Sequence, residues 1–236
     1  MKAVILAGGF GTRMGDDTIA KPKPLVEVGG HPILWHILKL YEAHGIVDYV
    51  ICAGFAAHLV TEYFERERGT GWRVQVVDTG ETTATGGRLR RARDVIGNDT
   101  FCMTYGDGVA DVDISRLVEF HRHEAKLVTV TAAHPRLSFG VLKFSENGAR
   151  TVAFEEKPLQ KDLWVNGGFF VIEPRAIDYV QDDDEPWERS PMARLTGGGE
   201  LAAYRHEGFW QCMDAPGDRQ VLEDLWNSGR APWKTW

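Results

Sequence analysis

Residues 1–25, MKAVILAGGFGTRMGDDTIAKPKPL, combine a strand-like segment, a glycine cluster and a Lys-Pro-Lys-Pro run. Met1 to Ala7 is typical of a buried strand, because Val4, Ile5 and Leu6 form an unbroken apolar run. Gly8, Gly9 and Gly11 follow it, and they let backbone amides approach a ligand where a Cβ atom would collide. A strand that ends in a glycine cluster predicts a phosphate-binding loop.

The rest of the chain alternates β-rich apolar runs with helical patterns. Strands are predicted at Tyr49 to Cys52, Trp72 to Val77, Thr100 to Tyr105 and Val128 to Ala133. Helices are predicted at Pro32 to Ala43, Ala57 to Arg66, Leu89 to Val95 and Ile114 to Glu124. This alternation predicts an α/β, Rossmann-like fold: a mostly parallel mixed sheet flanked by helices, with ligands at the carboxyl ends of its strands.

The later part of the chain changes character. Short strands with hairpin-like spacing are predicted at Gly140 to Phe144, Ala149 to Phe154 and Gly167 to Ile172. We therefore expect a single domain, 1–236, with a nucleotide-binding core at about 1–133 and a smaller sugar-binding and C-terminal lobe at about 134–236.

Composition excludes several partners. The chain has 236 residues, a net charge of −7 and no basic cluster beyond residues 88–93, which argues against nucleic-acid binding. It contains no apolar run of about 18 residues, and we expect no membrane partner and a cytoplasmic location. Cys52, Cys102 and Cys212 are far apart in apolar contexts, so we expect buried, reduced thiols.

Three kinds of glycine-rich loop compete for the opening stretch. A P-loop requires a Lys-Ser or Lys-Thr pair that does not follow Gly8, and a dinucleotide fingerprint requires a third glycine where Met14 stands. The third kind combines G-G-x-G-T-R with K-P-K-P, in which Arg13 supplies a planar donor fork and Lys23 a point charge for phosphate oxygens. This pairing favours binding of a triphosphate.

Two aspartates are candidate magnesium ligands. Asp107 follows a predicted strand between two glycines, although Asp and Gly are also ordinary turn formers. Asp214 ends an apolar stretch and is the best candidate for a second carboxylate. Asp111 and Asp113 are better interpreted as helix-start residues before Ile114.

Eight segments carry a family resemblance. They are LAGGFGTR (6–13), KPKPLVEVGGHPILWHILK (21–39), VDTGETTATGGRLRR (77–91), TYGDGVADVD (104–113), FEEKP (154–158), NGGFFV (166–171), FWQCMD (209–214) and APWKTW (231–236). Through them the chain resembles the sugar-1-phosphate nucleotidyltransferases, and TGGRLRR, YGDGVADVD and APWKTW are similar to the cytidylyl branch. The resemblance implies transfer of a cytidylyl group from CTP to a hexose 1-phosphate, glucose 1-phosphate foremost, with Mg²⁺ and release of pyrophosphate.

The resemblance also implies a role for each matching residue. The expected catalytic residues are Arg13 and Lys23, and the expected metal ligands are Asp107 and Asp214. The nucleotide-binding residues are expected to be Leu6, Ala7, Gly8, Gly9, Gly11, Thr12, Thr83, Gly87, Arg88 and Gly106. The sugar phosphate is expected to bind Glu156, Lys157, Asn166 and Gly167. For Thr83 to Arg88, a turn followed by a basic helix start is the alternative.

Other functions stay open at this point. The same chemistry with dTTP, UTP or another sugar 1-phosphate is one alternative, and a non-catalytic nucleotide-sugar sensor is another. The chain lacks the long insert that the cytidylyl branch carries near residues 64–75, and residues 134–140 depart from the family pattern near the sugar. We expect a homo-oligomer.

Overall fold

The computed structural model describes residues 1–11, 21–67, 71–137 and 139–236. The described strands are β1 (Lys2–Ala7), β2 (Glu27–Val28), β3 (His31–Pro32), β4 (Asp48–Ala53), β5 (Arg73–Asp78), β6 (Phe101–Tyr105), β7 (Gly108–Ala110), β8 (Val128–Ala133), β9 (Val141–Phe144), β10 (Thr151–Glu155), β11 (Val165–Ile172), β12 (Leu201–His206) and β13 (Trp210–Cys212). The described α-helices are α1 (Ile33–Glu42), α2 (Ala57–Arg66), α3 (Thr85–Arg91), α4 (Arg93–Ile96), α5 (Ile114–Glu124), α6 (Ser190–Gly197) and α7 (Pro216–Asn227).

Seven of these strands form the main sheet, in the order β12-β8-β11-β6-β1-β4-β5. Strand β1 pairs in parallel with β4 on one side and β6 on the other, so that Ile5 faces Ile51 and Thr104. Strand β11 runs antiparallel to both neighbours, β6 and β8. The predicted mostly parallel mixed sheet is confirmed.

Apolar side chains fill both faces of the sheet. Along β1, Ala3, Ile5 and Ala7 point into one core with α1, α5 and α7, while Val4 and Leu6 point into a second core with α3 and α6. This alternation follows from the two-residue period of a strand. Each fully buried Ile or Leu contributes about 1.5–3 kcal/mol to folding. Two buried faces therefore require the unbroken apolar run that opens the chain.

Strands from the later range of the chain complete the main sheet. Strand β11 lies inside the sheet between β8 and β6, and β12 lies at its edge, whereas β9 and β10 form a separate antiparallel hairpin. The division into a core at about 1–133 and a lobe at about 134–236 stays a prediction.

The predicted helix at Leu89 to Val95 begins too late. Helix α3 starts at Thr85 and includes Gly86 and Gly87, and a short α4 follows. Glycine is a poor helix former. Here a Cβ atom on Gly87 would lie 2.2 Å from the Asp183 carbonyl oxygen, so close packing against residues 183–187 outweighs helix propensity.

The C-terminal residues pack against α1. Trp233 is fully buried, and its Nε1 donates to His36 Nδ1 at 3.3 Å. His36 Nε2 in turn donates to the Val28 carbonyl oxygen at 2.9 Å. The imidazole therefore links the C-terminal tail to β2, which follows the Lys-Pro-Lys-Pro segment.

Among the described residues, no helix combines the length and apolar character that crossing a membrane requires. Cys52 and Cys102 are buried and Cys212 is half-buried, all three as free thiols. The predicted burial therefore holds for Cys52 and Cys102 and is wrong for Cys212, and the reduced state stays a prediction.

Candidate active site

The candidate site lies at the carboxyl ends of β1 and β6. These strands are neighbours, and Gly106 N donates to the Leu6 carbonyl oxygen at 2.9 Å. A cavity of about 590 Å³ opens there, and we call it the lysine cavity. Its lining residues are Leu6, Ala7, Gly9, Phe10, Gly11, Lys23, Pro24, Thr85, Tyr105, Gly106, Asp107, Asn166, Glu188, Trp210, Cys212 and Asp214.

Lys23 is held on the wall of this cavity by a proline-stiffened turn. Residues Lys23–Leu25 form a short 3-10 turn, closed by a hydrogen bond from Leu25 N to the Pro22 carbonyl oxygen. The Lys23 side chain is only 9% exposed, and its Nζ donates to Asp107 Oδ2 at 2.6 Å and Asp214 Oδ1 at 2.8 Å. Burial by itself lowers the pKa of Lys23, but the charges and hydrogen bonds of the two carboxylates outweigh burial and raise it. The ammonium therefore stays charged at neutral pH.

A small two-stranded sheet brings the two carboxylates together. Strands β7 and β13 pair antiparallel, with Gly108 opposite Cys212. Just beyond that pair, Met213 N donates to the Asp107 carbonyl oxygen at 2.8 Å. Asp107 and Asp214 therefore leave the same end of the small sheet, on the side of Lys23.

A third aspartate fixes the backbone at Asp214. Asp218, in the first turn of α7, accepts hydrogen bonds from Asp214 N at 3.0 Å and Ala215 N at 2.8 Å. This contact orients the segment that carries Asp214 toward Lys23.

A second cavity, of about 300 Å³, adjoins the first, and we call it the arginine cavity. Its lining residues are Leu6, Gly8, Gly9, Thr83, Ala84, Thr85, Arg88, Pro186 and Glu188. The glycine loop thus separates two chambers, one with Lys23 and the carboxylates and one with Thr83 and Arg88.

Arg88 holds the loops that follow three parallel strands. The residue is 4% exposed, and its guanidinium donates to the carbonyl oxygens of Gly8, Ala53, Gly80 and Glu81 and to the Thr79 hydroxyl, at 2.7–3.1 Å. A Cβ atom on Gly8 would lie 1.9 Å from the Arg88 Nη1 atom, so a larger residue there would displace the guanidinium. Burial lowers the pKa of Arg88 from its ordinary value. Sequence reasoning gave Arg88 a role toward the nucleotide and missed this backbone clasp.

The structure brings most of the predicted site residues to these cavities. Leu6, Ala7, Gly9, Gly11, Lys23, Gly106, Asp107, Asn166 and Asp214 line the lysine cavity, and Gly8, Thr83 and Arg88 line the arginine cavity. Thr12 and Arg13 lie outside the described residues.

Four other predicted residues lie apart from the cavity linings. Gly87 packs against the Asp183 backbone, and the Gly167 carbonyl oxygen accepts from Trp210 Nε1 at 2.7 Å. Glu156 and Lys157 are exposed just after β10, and neither lines the lysine cavity. Lys157 has a φ of +47°, in the left-handed region that non-glycine residues rarely adopt.

Sequence reasoning missed a group of polar side chains between the cavities. Tyr105 ends β6 immediately before the predicted Gly-Asp-Gly turn, so its position was a usable signal. Tyr105 and Thr85 each donate a hydrogen bond to Glu188, and only the tertiary fold brings these three residues together.

The donor set of the lysine cavity fits a magnesium ion. Asp107 and Asp214 are partly open to solvent, at 28% and 34% exposure of their side chains, and carboxylate oxygens are the ligands that Mg²⁺ prefers. In the part of the chain that the structure describes, no group of three or more His, Cys, Asp or Glu side chains is arranged as a complete metal cage. A magnesium ion there would take its other ligands from phosphate oxygens and water.

Comparisons with known proteins agree with this geometry. The family model for nucleotidyl transferase matches residues 2–197. The chain is 45% identical to a glucose-1-phosphate cytidylyltransferase of Salmonella typhi, over all of both proteins. It is 38% identical, again over all of both, to a Bacillus subtilis protein named "Probable glucose-1-phosphate cytidylyltransferase".

Solved structures show the same fold. HddC from Yersinia pseudotuberculosis superposes with a TM-score of 0.77 at 20% identity, covering 95% of this chain and 99% of that one. The family model covers most of the chain, and the full-length relatives extend the match through the segment that carries Asp214. The chain therefore belongs to the nucleotidyl transferase family.

Proposed function

We propose that this enzyme transfers the cytidylyl group of CTP to a hexose 1-phosphate, glucose 1-phosphate foremost, and releases pyrophosphate. The observation that carries the proposal is the contact of Lys23 with both Asp107 and Asp214 beside the glycine loop. The choice of CTP and glucose 1-phosphate is supported by the full-length relatives at 45% and 38% identity, which are named for that reaction.

The reaction requires that the two phosphate groups be aligned and that their negative charge be neutralised. A phosphate oxygen of the hexose 1-phosphate attacks the α-phosphorus of the nucleotide, and the bond from that phosphorus to the oxygen bridging to the β-phosphate breaks. Such transfers depend on positioning and electrostatic stabilisation more than on a covalent nucleophile. Lys23 is a charged donor on the cavity wall and would stabilise the negative charge that develops. Arg13 would assist it, on the strength of the family resemblance.

Asp107 and Asp214 would hold Mg²⁺ in this proposal. When bound, the ion supplies positive charge that neutralises the phosphates and aligns the two reacting groups. Other residues position these two carboxylates: Lys23 bonds to both of them, and Asp218 holds the Asp214 backbone in place.

The glycine loop from Leu6 to Gly11 would hold the triphosphate, with the base in the arginine cavity beside Thr83. Thr12, Gly87, Arg88 and Gly106 complete the proposed nucleotide site. Glu156, Lys157, Asn166 and Gly167 are proposed for the sugar phosphate, and Asn166 is supported by its place in the lysine cavity. The homo-oligomer also remains a prediction. Sedimentation equilibrium tests it, because it measures the mass of the assembly in solution.

The proposal is tested by pyrophosphate release. CTP, dTTP, UTP, ATP and GTP are each paired with a panel of hexose 1-phosphates, with Mg²⁺ and with a chelator. We expect the highest kcat/KM for CTP with glucose 1-phosphate and no release with the chelator. A preference for another nucleotide would contradict the choice of base. The absence of release with every pair would favour the sensor alternative.

A further inference from the structure

Glu188 lies where the two cavities of the site meet. The lysine cavity and the arginine cavity share four lining residues: Leu6, Gly9, Thr85 and Glu188. Of these, Glu188 alone has a charged side chain. The residue is exposed, so its carboxylate is accessible from the cavities.

Hydroxyl groups from two other elements orient this carboxylate. Its Oε1 accepts from the Tyr105 hydroxyl at 2.6 Å, and its Oε2 accepts from the Thr85 hydroxyl at 2.6 Å. Both partners are themselves held: Asn166 Nδ2 donates to the Tyr105 oxygen at 3.2 Å, and Trp187 N donates to Thr85 Oγ1 at 2.9 Å. The carboxylate is therefore fixed by β6, α3 and β11 together.

An oriented carboxylate of this kind still has acceptor capacity. An ionised carboxylate offers about four lone-pair positions and no donor. Tyr105 and Thr85 use one position on each oxygen, which leaves the others for a ligand. The matching ligand group is a hydrogen-bond donor such as a hydroxyl, since a phosphate oxygen would be repelled.

We propose that Glu188 accepts a hydrogen bond from a ribose hydroxyl of the nucleotide and so selects ribonucleotides over deoxyribonucleotides. This inference rests on the proposed function, which puts the base in the arginine cavity and the phosphates in the lysine cavity. The ribose joins base to phosphates, so it must pass the junction where Glu188 lies. Tyr105 and Thr85 act as positioning residues for the carboxylate.

The test compares CTP with 2′-deoxy-CTP and 3′-deoxy-CTP. The wild-type enzyme should prefer CTP over at least one deoxy analogue by about 10-fold or more in kcat/KM, since a site that pairs a hydroxyl disfavours the analogue lacking it. Glu188→Gln keeps the side-chain shape but removes the charge. This variant should lower kcat/KM for CTP and leave kcat/KM for the discriminated deoxy analogue nearly unchanged. The ratio of kcat/KM for CTP to kcat/KM for that analogue should therefore approach one. Thr85→Val should move the ratio in the same direction.

Asp184→Asn is the matched control, because this exposed carboxylate on the same segment lines neither cavity. Its ratio of kcat/KM for CTP to kcat/KM for the deoxy analogue should equal that of the wild type. An unchanged ratio in Glu188→Gln, with a wild-type thermal unfolding midpoint, would overturn the proposal. So would a raised KM for the hexose 1-phosphate alone, because that result would assign the carboxylate to the other sugar.

Direct binding separates this inference from the proposed function. Calorimetry of CTP and the two deoxy analogues, without a hexose 1-phosphate, measures ribose selection even if no pair of substrates turns over. Tighter binding of CTP that Glu188→Gln abolishes would support the role of Glu188. Equal dissociation constants of the wild type for all three nucleotides would overturn it.

Discussion

The Lys23 ammonium nitrogen lies 2.6 Å from the Asp107 carboxylate, although 84 positions separate the two residues in the chain. Asp214, 191 positions from Lys23, accepts a second hydrogen bond from the same nitrogen at 2.8 Å. One ammonium thus joins the segment after the glycine loop to the two strands of the small β7–β13 sheet. Two carboxylates facing one ammonium leave an excess of negative charge, which favours a divalent cation beside them.

Asp107→Asn should abolish magnesium-dependent turnover and leave the fold intact. The amide keeps the shape of the side chain and can still accept from Lys23, but it removes the negative charge that binds the cation. Pyrophosphate release measured against Mg²⁺ concentration checks this expectation. Full activity in this variant would rule out Asp107 as a metal ligand.

Asp113→Asn is the matched control for that variant. Asp113 caps α5 by accepting from Arg116 N at 3.0 Å, which confirms its predicted place at a helix start. Because Asn caps helices about as well as Asp, stability and turnover should both stay close to those of the wild type.

Asp218→Asn should weaken the dependence on Mg²⁺ without removing a proposed ligand. The carboxylate Oδ2 accepts from both Asp214 N and Ala215 N, and an amide in its place accepts these bonds more weakly. We expect a higher Mg²⁺ concentration for half-maximal rate. Asp224→Asn, also on α7, where the carboxylate accepts a hydrogen bond from Gln220 Nε2 and does not touch the Asp214 segment, should not shift that concentration. Equal shifts in both variants would assign the effect to the helix as a whole.

Arg88→Lys should destabilise the fold by about 2–3 kcal/mol, since a lysine keeps the charge but cannot fork to several buried acceptors. The carbonyl oxygens of Gly8, Ala53 and Gly80 would lose donors that the guanidinium now supplies. Denaturant unfolding measures the loss. Arg90→Lys, whose side chain is 49% exposed, should change stability little. Comparable losses in the two variants would argue against the clasp.

His36 makes the fold sensitive to acid. Burial lowers the pKa of this imidazole from 6.5 to about 4, so the folded state favours its neutral form. Stability is fully present above pH 6.5 and is lost as pH falls toward 4, because the unfolded chain binds the proton first. The difference in pKa corresponds to about 3 kcal/mol.

His36→Gln should flatten this part of the pH dependence. Glutamine can donate to the Val28 carbonyl oxygen but does not titrate. Unfolding free energies at pH 7 and pH 4 for both proteins give the comparison. An equal loss in both proteins would mean that another group carries the acid sensitivity.

The local parts of the fold could be predicted from the sequence. Helices α2 and α5 and strand β8 occur at the predicted residues, because their apolar spacing is decided by neighbours in the chain. The late start predicted for α3 has a different origin. Gly86 and Gly87 discourage a helix locally, and only the approach of residues 183–187 explains them.

The candidate site likewise contains residues that local sequence patterns indicate and residues that only the tertiary fold brings together. Lys23 and Asp107 stand in segments with recognisable composition, a proline-stiffened turn and a strand end followed by Gly-Asp-Gly. Glu188 has no such context, and its contact with Tyr105 spans 83 positions. The clasp of Arg88 likewise joins loops that the sequence does not connect. Contacts of this kind depend on the sheet order, which local patterns do not determine.

In the proposed mechanism Lys23, between its two carboxylates, stabilises the transferring phosphate. This role is tested by pyrophosphate release from CTP and glucose 1-phosphate by the wild type, Lys23→Met and Lys21→Met, each at equal folded concentration. Lys21, whose side chain is 39% exposed and whose Nζ lies 3.5 Å from Glu27 Oε1, serves as the control. We predict a loss of about 10²–10³-fold in kcat/KM for Lys23→Met, as for removal of one charge-stabilising donor, and near wild-type turnover for Lys21→Met. Wild-type turnover by Lys23→Met would contradict this role.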